Sequence, residues 1–553
     1  MKKRNIFNLI YKLLKLVDSF ILVILLAVFN GTLGFILSMA ITTFAAIGVV
    51  SFIQTGTIAI WIYVVIAISG VLRGALRYLE QYSNHYIAFK ILALLRSKIF
   101  KQLRKLSPSK LEGKDKGEII AMVQGDIETL EVFYAHTISP FLIAVLTCTT
   151  VIVFIGCMTN WYLALVALLG YLLIGGLIPV LYYLSNKKEG KKYRYDLGKF
   201  ESFYLDSIYG GYEIIASNNQ NKTIESLNNQ SDKLIKTADK LDSKNSLFKN
   251  VTNIIIVILN IIMIGVAGYL SYLNMMDEVN IILAFISFTS SFGAVLALAN
   301  LPSNLTMTFA SGNRVLDLLE EKPMVEEVNN SRPFEFDHLE VKNLKFKYAD
   351  EPVLNDVSFT VKRNEIVGLL GPSGCGKSTI LKLLMKFYPT SEGQIKYNDV
   401  NITDINQNEL YDSVNLFSQD TYLFKGSIKD NLLIANPKAS DKEIIKACEN
   451  ASIMDYINNL KDGFNTQISD LKDNLSSGEK QRLGLARVFL KQPKLLLLDE
   501  ATANIDAINE GIILNALKKY KKDMSIIIIS HRKSTLAICD KTYQIKDGVS
   551  YGG

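Results

Sequence analysis

Cysteine is scarce: Cys148, Cys157, Cys375, Cys448 and Cys539 are the only five in 553 residues. No two form a CxxC pair and none has a zinc-ligand spacing, which excludes a disulfide framework and a zinc ribbon. Reduced or lipid-buried thiols are expected, with Cys157 a small buried hydrophobe. The amino terminus lacks the small-residue cleavage site of a secretory signal. Charge is low for the apolar content. Charged residues make up 20% and hydrophobic ones 49%, and a mean hydropathy of +0.22 is too high for an ordinary soluble enzyme. The net charge of +7 could suggest nucleic acid, but Lys and Arg cluster beside apolar runs. Membrane topology accounts for them, and nucleic acid is excluded as a partner.

Six apolar stretches reach the roughly 20 residues needed to cross a bilayer, near 20–46, 56–78, 139–158, 161–184, 251–273 and 280–302. The connections near 47–55, 158–161 and 274–279 are short and lack Lys and Arg, whereas 79–138 and 185–250 are long and Lys-rich. Basic segments stay in the cytoplasm, so both termini and both long loops are expected inside. "AFKILALLRSKIFKQLRKL" repeats Leu and Ile three and four apart, a helical period. "SPSKLEGKDKGEII" and "SIYGGYEII" break the pattern, so each long loop reads as a helical hairpin with a turn at its tip. "MKKRNIFNLIYKLLKLVD" is basic and amphipathic, with Ile6, Leu9, Ile10, Leu13 and Val17 near one face. It is expected to lie on the inner membrane surface.

Beyond residue 312 the composition changes. "NRVLDLLEEKPMVEEVNNSRPFEF" reads as a polar, acidic linker over 312–336. From 337 to 553, short β-rich runs alternate with helical patterns, the mark of an α/β domain with a largely parallel sheet. The expected architecture is multi-domain. A six-helix all-α transmembrane domain (1–311) precedes an α/β P-loop nucleotide-binding domain.

"GPSGCGKST", Gly371 to Thr379, fits G-x-x-x-x-G-K-[ST] between the apolar run "EIVGLL" and the helical "ILKLLMKFY". In that setting Gly371, Ser373, Gly374, Cys375 and Gly376 let backbone N–H groups wrap phosphate at a helix start. Lys377 is expected to reach the β- and γ-phosphates and Ser378, followed by Thr379, to bind Mg²⁺. "KLLLLDE" reads as a buried strand ending in two acids, about 120 residues further on. Asp499 would hold Mg²⁺ through its water shell and Glu500 would act as general base. Between the two lies "NLSSGEKQRLGLARVFL", which resembles the signature of the ATP-binding cassette (ABC) family, usually LSGGQ. The resemblance supplies further roles in the family's order: Tyr348 stacking on adenine, Gln419 as the Q-loop residue near Mg²⁺ and the γ-phosphate, Asp506 in the D-loop and His531 as the switch histidine.

Six spans followed by one cassette resemble an ABC exporter half-transporter. The family implies a dimer in which two cassettes close on two ATP molecules. Ser476, Ser477, Gly478 and Glu479 would face the partner's γ-phosphate at a helix start. Ser477 stands where the family usually has glycine. Its Cβ either crowds the phosphate or is tolerated. A half that binds ATP without hydrolysing it is the reading from another class, and the presence of Glu500 speaks against it.

"VLRGALRYLEQYSNH", Val71 to His85, closes the second span. At about 100° per residue, Arg73, Arg77, Glu80 and Asn84 fall within roughly 60° of one another, with Tyr78 and His85 on an adjacent face. Three readings are open: lipid anchoring with Arg73 snorkelling, a cavity for an anionic or zwitterionic substrate, and His85 as a haem ligand. His136 and His338 read as ordinary polar residues. "RGALRYLEQYSNH", "LRKLSPSKL", "GDIETLEVFYAHTISP" and the Glu479 ending of the signature resemble the CydC-like branch. That resemblance implies a heterodimer, export of a thiol such as cysteine or glutathione, and a link to haem. A multidrug, lipid or peptide exporter is the alternative.

Overall fold

The computed structural model describes residues 4–114, 116–299, 302–328, 334–468, 475–500, 506–530 and 532–552. The chain divides into two compact units: Met1–Lys105 with Gly113–Glu321, and Leu106–Glu112 with Lys322–Gly553.

Among the described residues of the first unit, six helices are long and apolar enough to cross a membrane: Asp18–Thr55, Ile60–Leu106, Gly117–Met158, Trp161–Asn186, Gln220–Tyr272 and Glu278–Leu298. They overlap all six apolar stretches of the sequence. Regular segments within them are α2 (Ile21–Thr55), α3 (Ile60–Leu106), α4 (Ser139–Met158), α5 (Trp161–Leu172), α6 (Ile178–Tyr209), α7 (Gln220–Tyr272) and α8 (Glu278–Ala299); α1 (Ile6–Lys15) precedes them and α9 (Pro302–Leu319) follows. In hydrocarbon every backbone polar group must be satisfied within the segment, so even Ile- and Val-rich runs are helical. At about 1.5 Å per residue, α3 and α7 are each some 70–80 Å long, more than twice a hydrocarbon core. They therefore run on beyond the bilayer, as expected of the long hairpins. Tyr171, Phe288 and Phe292 centre the span core, with Phe288 and Phe292 rings 4.7 Å apart. The Tyr171 hydroxyl meets Ser291 Oγ at 2.5 Å, a polar link of the kind that holds membrane helices together. Three wider π-turns interrupt the spans, at Met122–Asp126, Tyr134–Ile138 and Leu173–Leu177.

Helix α1 corrects one expectation. Leu9, Leu13 and Val17 are buried in protein, not laid on lipid. A Cβ at Gly312 of α9 would meet Leu13 at 3.3 Å, and Tyr134 Oη donates to the Leu13 carbonyl at 3.3 Å. Arg4 pairs with Asp317 at 2.7 Å and Glu320 at 2.9 Å, and Lys12 with Glu320 at 2.5 Å. These cations turn the apolar stripe onto α9 and leave Phe7 and Tyr11 outward. Cys157, at the end of α4, lies outside the packed protein interior.

The second unit is built on a ten-stranded sheet. Its strands are β1 (Leu339–Tyr348), β2 (Glu351–Val361), β3 (Ile366–Leu370), β4 (Glu392–Tyr397), β5 (Val400–Asn401), β6 (Val414–Phe417), β7 (Leu495–Asp499), β8 (Ser525–Ile529), β9 (Lys541–Lys546) and β10 (Val549–Tyr551). The order is β5-β4-β1-β2-β10-β9-β3-β8-β7-β6. The run β9-β3-β8-β7-β6 is parallel, and β8 is buried throughout, as strands covered on both faces are. The β1–β2, β1–β4 and β4–β5 pairings are antiparallel, whereas β2 meets β10 in parallel. The two-residue turn Ala349–Asp350, with Ala349 at φ +51°, admits no parallel crossover. Leu106–Glu112 continues from α3 yet belongs to this unit. There Glu112 accepts a hydrogen bond from Tyr388 Oη at 2.6 Å and pairs with Lys382.

Candidate functional site

The register of the parallel strands places the expected nucleotide residues at one sheet edge. Ile529 of β8 lies opposite both Leu369 of β3 and Asp499 of β7, and Phe417 of β6 lies opposite Leu498. The phosphate loop, the Asp499–Glu500 pair and Gln419 therefore all leave the carboxyl ends of neighbouring strands, where open α/β sheets bind ligands.

The phosphate loop runs from Gly371 into α10 (Lys377–Leu384). Gly371, Gly374 and Gly376 have φ of +155°, +82° and +96°. A Cβ at Gly371 would strike the Ile545 carbonyl at 2.2 Å, and one at Gly376 would reach Leu354 at 2.6 Å. Only glycine fits at Gly371 and Gly376. Lys377 is buried, and its Nζ donates to the carbonyls of Gly371 at 2.8 Å and Pro372 at 2.7 Å. Cys375 Sγ lies 3.6 Å from the same nitrogen. Thr379 is buried in α10, and Ser373 lies in the turn before it. Tyr348 stands at the end of β1, its ring edge-on to Phe346 at 4.8 Å and Tyr388 at 5.2 Å.

Ser378 donates to the Asp499 carboxylate. Burial pushes that carboxyl up, the Ser378 hydrogen bond and Lys377 pull it down, and Glu500 beside it raises it again. Hydroxyl and carboxylate oxygens held together are hard donors that suit Mg²⁺. Glu500 follows at φ +50°, with its N–H on the Ile529 carbonyl at 3.1 Å. A non-glycine residue in this region is strained, and such strain gathers at functional sites. Gln419 is exposed, and its carbonyl accepts from Gln481 Nε2 at 3.1 Å. His531 lies outside the described residues.

The signature opens α11 (Ser477–Lys491) with a capping box. Ser476 Oγ accepts from the Glu479 N–H at 3.3 Å, and Glu479 Oε2 accepts from the Ser476 N–H at 2.6 Å. Ser477 and Gly478 are the first two helical residues. Asp506 caps α12 (Ala507–Tyr520), accepting from the Ile508 and Asn509 N–H groups and from Asn509 Nδ2 at 2.6 Å. The Asn509 hydrogen bonds hold its carboxyl below the usual range.

Sequence reasoning missed several residues that organise this edge. Gln481, buried in α11, ties the signature helix to Gln419. Tyr388 links Tyr348 to Glu112. Glu510, buried one turn beyond Asp506, accepts from Arg532 at 2.6 Å and Thr535 at 3.1 Å. A charge near each motif was the available signal, but pairings across 20 or more residues carry no local pattern.

In the first unit the polar stretch of α3 splits. Glu80 and Asn84 are buried, and Arg77 Nη1 pairs with Glu80 at 2.6 Å. Arg73 is exposed. Tyr78 is exposed as well and stacks on Tyr82 with centroids 6.2 Å apart. His85 Nδ1 lies 3.3 Å from Glu131, and its ring is edge-on to His136 at 5.3 Å. Arg77 and Glu80 line a cavity of about 320 Å³ together with Gln81 and His136. His136 is thus no ordinary surface residue, because the π-turn at Tyr134–Ile138 carries it to this cavity. A second cavity, about 420 Å³, is mostly apolar and is lined by Met39, Phe44, Phe154 and Met158, with Thr43, Thr150 and Asn280.

Residues 19–296 match the family model described as ABC transporter transmembrane region, and residues 354–503 match the one described as ABC transporter. A Haemophilus influenzae chain named "Probable ABC transporter ATP-binding/permease protein" is 39% identical over 549 residues, covering 99% of each chain. Bacillus subtilis YgaD, provisionally named a multidrug export ATP-binding/permease protein, is 28% identical over 86% of this chain and 83% of its own. The fold resembles a solved bacterial Atm1-family ABC exporter with ATP bound, at a TM-score of 0.84 and 22% identity, over 95% of this chain and 93% of that one.

Proposed function

Because this chain belongs to the ABC transporter family, as a transmembrane region joined to an ATP-binding domain, we propose that it is one half of a dimeric exporter that hydrolyses ATP to move a small molecule out across the cytoplasmic membrane. The observation that carries this reading is the gathering of Lys377, the Ser378–Asp499 pair and Glu500 at the carboxyl ends of β3 and β7, the two parallel strands that flank β8.

In this reading Tyr348 stacks on adenine, and the loop from Gly371 to Gly376 with Lys377 holds the phosphates. Ser378, Asp499 and Gln419 hold Mg²⁺, which when bound offsets phosphate charge. Glu500 takes the proton of the attacking water, with His531 as the switch residue. Ser476, Ser477, Gly478 and Glu479 face the nucleotide of the second half, beside Asp506. Both termini and the ATP-binding domain lie in the cytoplasm, on the argument from Lys and Arg placement. The test is ATP turnover in lipid nanodiscs with Glu500→Gln as control. Turnover that survives the substitution would overturn the assignment.

The partner is taken to be a different half-transporter, on the strength of Ser477 and the CydC-like text. A thiol substrate, cysteine or glutathione, follows from the same resemblance. Haem does not fit: His85 faces Glu131 and His136 and does not line the polar cavity. The apolar cavity favours a second reading, export of hydrophobic compounds, which the provisional name of the Bacillus relative also suggests. Stimulation of turnover by thiols but not by hydrophobic cations would select the first reading, and the reverse the second.

A further inference from the structure

Ionisable side chains within membrane spans are costly and serve as functional groups by default. The Arg77–Glu80 pair is built in, not incidental. Glu80 is 2% exposed, and α2 makes room for it with glycine: a Cβ at Gly31 would meet Ile143 at 2.3 Å and the Glu80 carboxyl carbon at 3.1 Å. The Arg77 side chain remains 55% exposed. Its guanidinium offers five N–H donors, of which the ion pair engages only the Nη1 group. Opposite, the π-turn at Tyr134–Ile138 places His136 on the same cavity, and Gln81 adds an amide. Such single π-turns recur at functional sites. The remaining wall is apolar, including Phe35, Ile143 and Ala294.

We propose that this cavity binds a small zwitterion of the α-amino-acid type with an apolar side chain. The two wall charges are adjacent and opposite. A purely anionic ligand would meet Arg77 but face the Glu80 carboxylate, and a purely cationic one would meet the reverse conflict. A ligand whose ammonium and carboxylate sit on one carbon docks head to tail on the pair, so that every charge neighbours its opposite. His136 and Gln81 supply hydrogen bonds to the same polar end, and the apolar wall takes the side chain. About 320 Å³ lies at the small end of the range for ligand pockets, which suits such a molecule. The proposal rests on the exporter reading only in making this ligand the substrate.

The experiment is equilibrium binding of radiolabelled leucine to the full chain in lipid nanodiscs, against leucine methyl ester and N-acetyl-leucine. Leucine should bind, and each derivative, lacking one charge, should bind about ten-fold more weakly, the worth of one charge-assisted hydrogen bond. Arg77→Gln should abolish the discrimination against the ester, and Glu80→Gln the discrimination against the acetylated form. Should Glu80→Gln fail to fold, the Arg77 arm still decides, because that side chain is half exposed. Equal binding of all three compounds, preference for either derivative, or no leucine binding at millimolar concentration would overturn the proposal. Binding needs no turnover, so failure of the exporter reading would appear separately, as ATP turnover insensitive to Glu500→Gln while leucine still binds.

Discussion

Glu500 joins a proposed role as general base to a strained backbone, and the two can be separated by substitution. Glu500→Gln keeps the shape but removes the base, and turnover should fall by about 10²–10⁴ while ATP binding persists. Glu500→Gly should abolish turnover too, yet raise the melting temperature slightly, because glycine accepts φ +50° without strain. Glu112 offers a pH test. Burial alone would raise its carboxyl, but hydrogen bonds from Lys382 and Tyr388 outweigh burial and hold it below the ordinary 4.5. A lowered folded-state value stabilises above the unfolded value and is lost as pH falls through the folded one. The melting temperature of wild type should therefore exceed that of Glu112→Gln near neutrality, and the gap should close as pH drops below about 4.5. Gly31→Ala should destabilise by about 1–3 kcal/mol, read as lost thermal stability in detergent. Gly34→Ala, whose Cβ would meet only Leu76 at 3.8 Å, serves as the tolerated control. Individual residues were legible where the backbone dictates type. Gly371, Lys377 and Asp499 announce themselves by spacing, but nothing near His136 marks it as a cavity residue.

Among the elements, α11 depends on its first turn. Ser476→Ala removes an N-cap acceptor and should cost about 0.5–2 kcal/mol, measured by denaturation, because Leu483 and Leu485 further along the helix are packed in the core. Ser477→Gly leaves that cap intact, so a rise in turnover would show that the serine Cβ crowds the nucleotide, whereas no change would show tolerance. The strands and long helices were legible because their periods of 2 and 3.6 and their apolar runs are local signals. The breaks in the hairpins were legible for the same reason: α3 and α6 stop at Leu106 and Tyr209, next to the glycine-bearing stretches. Two features were not. A π-turn such as Tyr134–Ile138 leaves composition unchanged and only shifts phase. The stripe of α1 has the same pattern whether it meets lipid or protein, and Arg4 and Lys12, reaching acids some 300 residues away, make the choice.

For the molecule as a whole, ATP turnover by this chain alone decides the nature of its partner. Turnover abolished by Glu500→Gln would mean that two copies suffice; none from folded protein would require a different second half. The two-part layout was legible because a change from long apolar runs to alternating β and helical runs is a change of solvent as much as of fold. The substrate was not, because cavity residues come from separate helices: Arg77 from α3, His136 from the turn before α4, Ala294 from α8. One feature reaches further. The unit that carries the proposed nucleotide residues includes Leu106–Glu112, over 200 residues upstream of its main body. No single cut separates the two units. A protease nicking the chain after Glu321 would free a piece holding every nucleotide residue but missing the carboxylate that Tyr388 and Lys382 engage. The severed piece should melt earlier than the same unit in the intact chain, and nucleotide affinities measured on it would belong to the fragment alone.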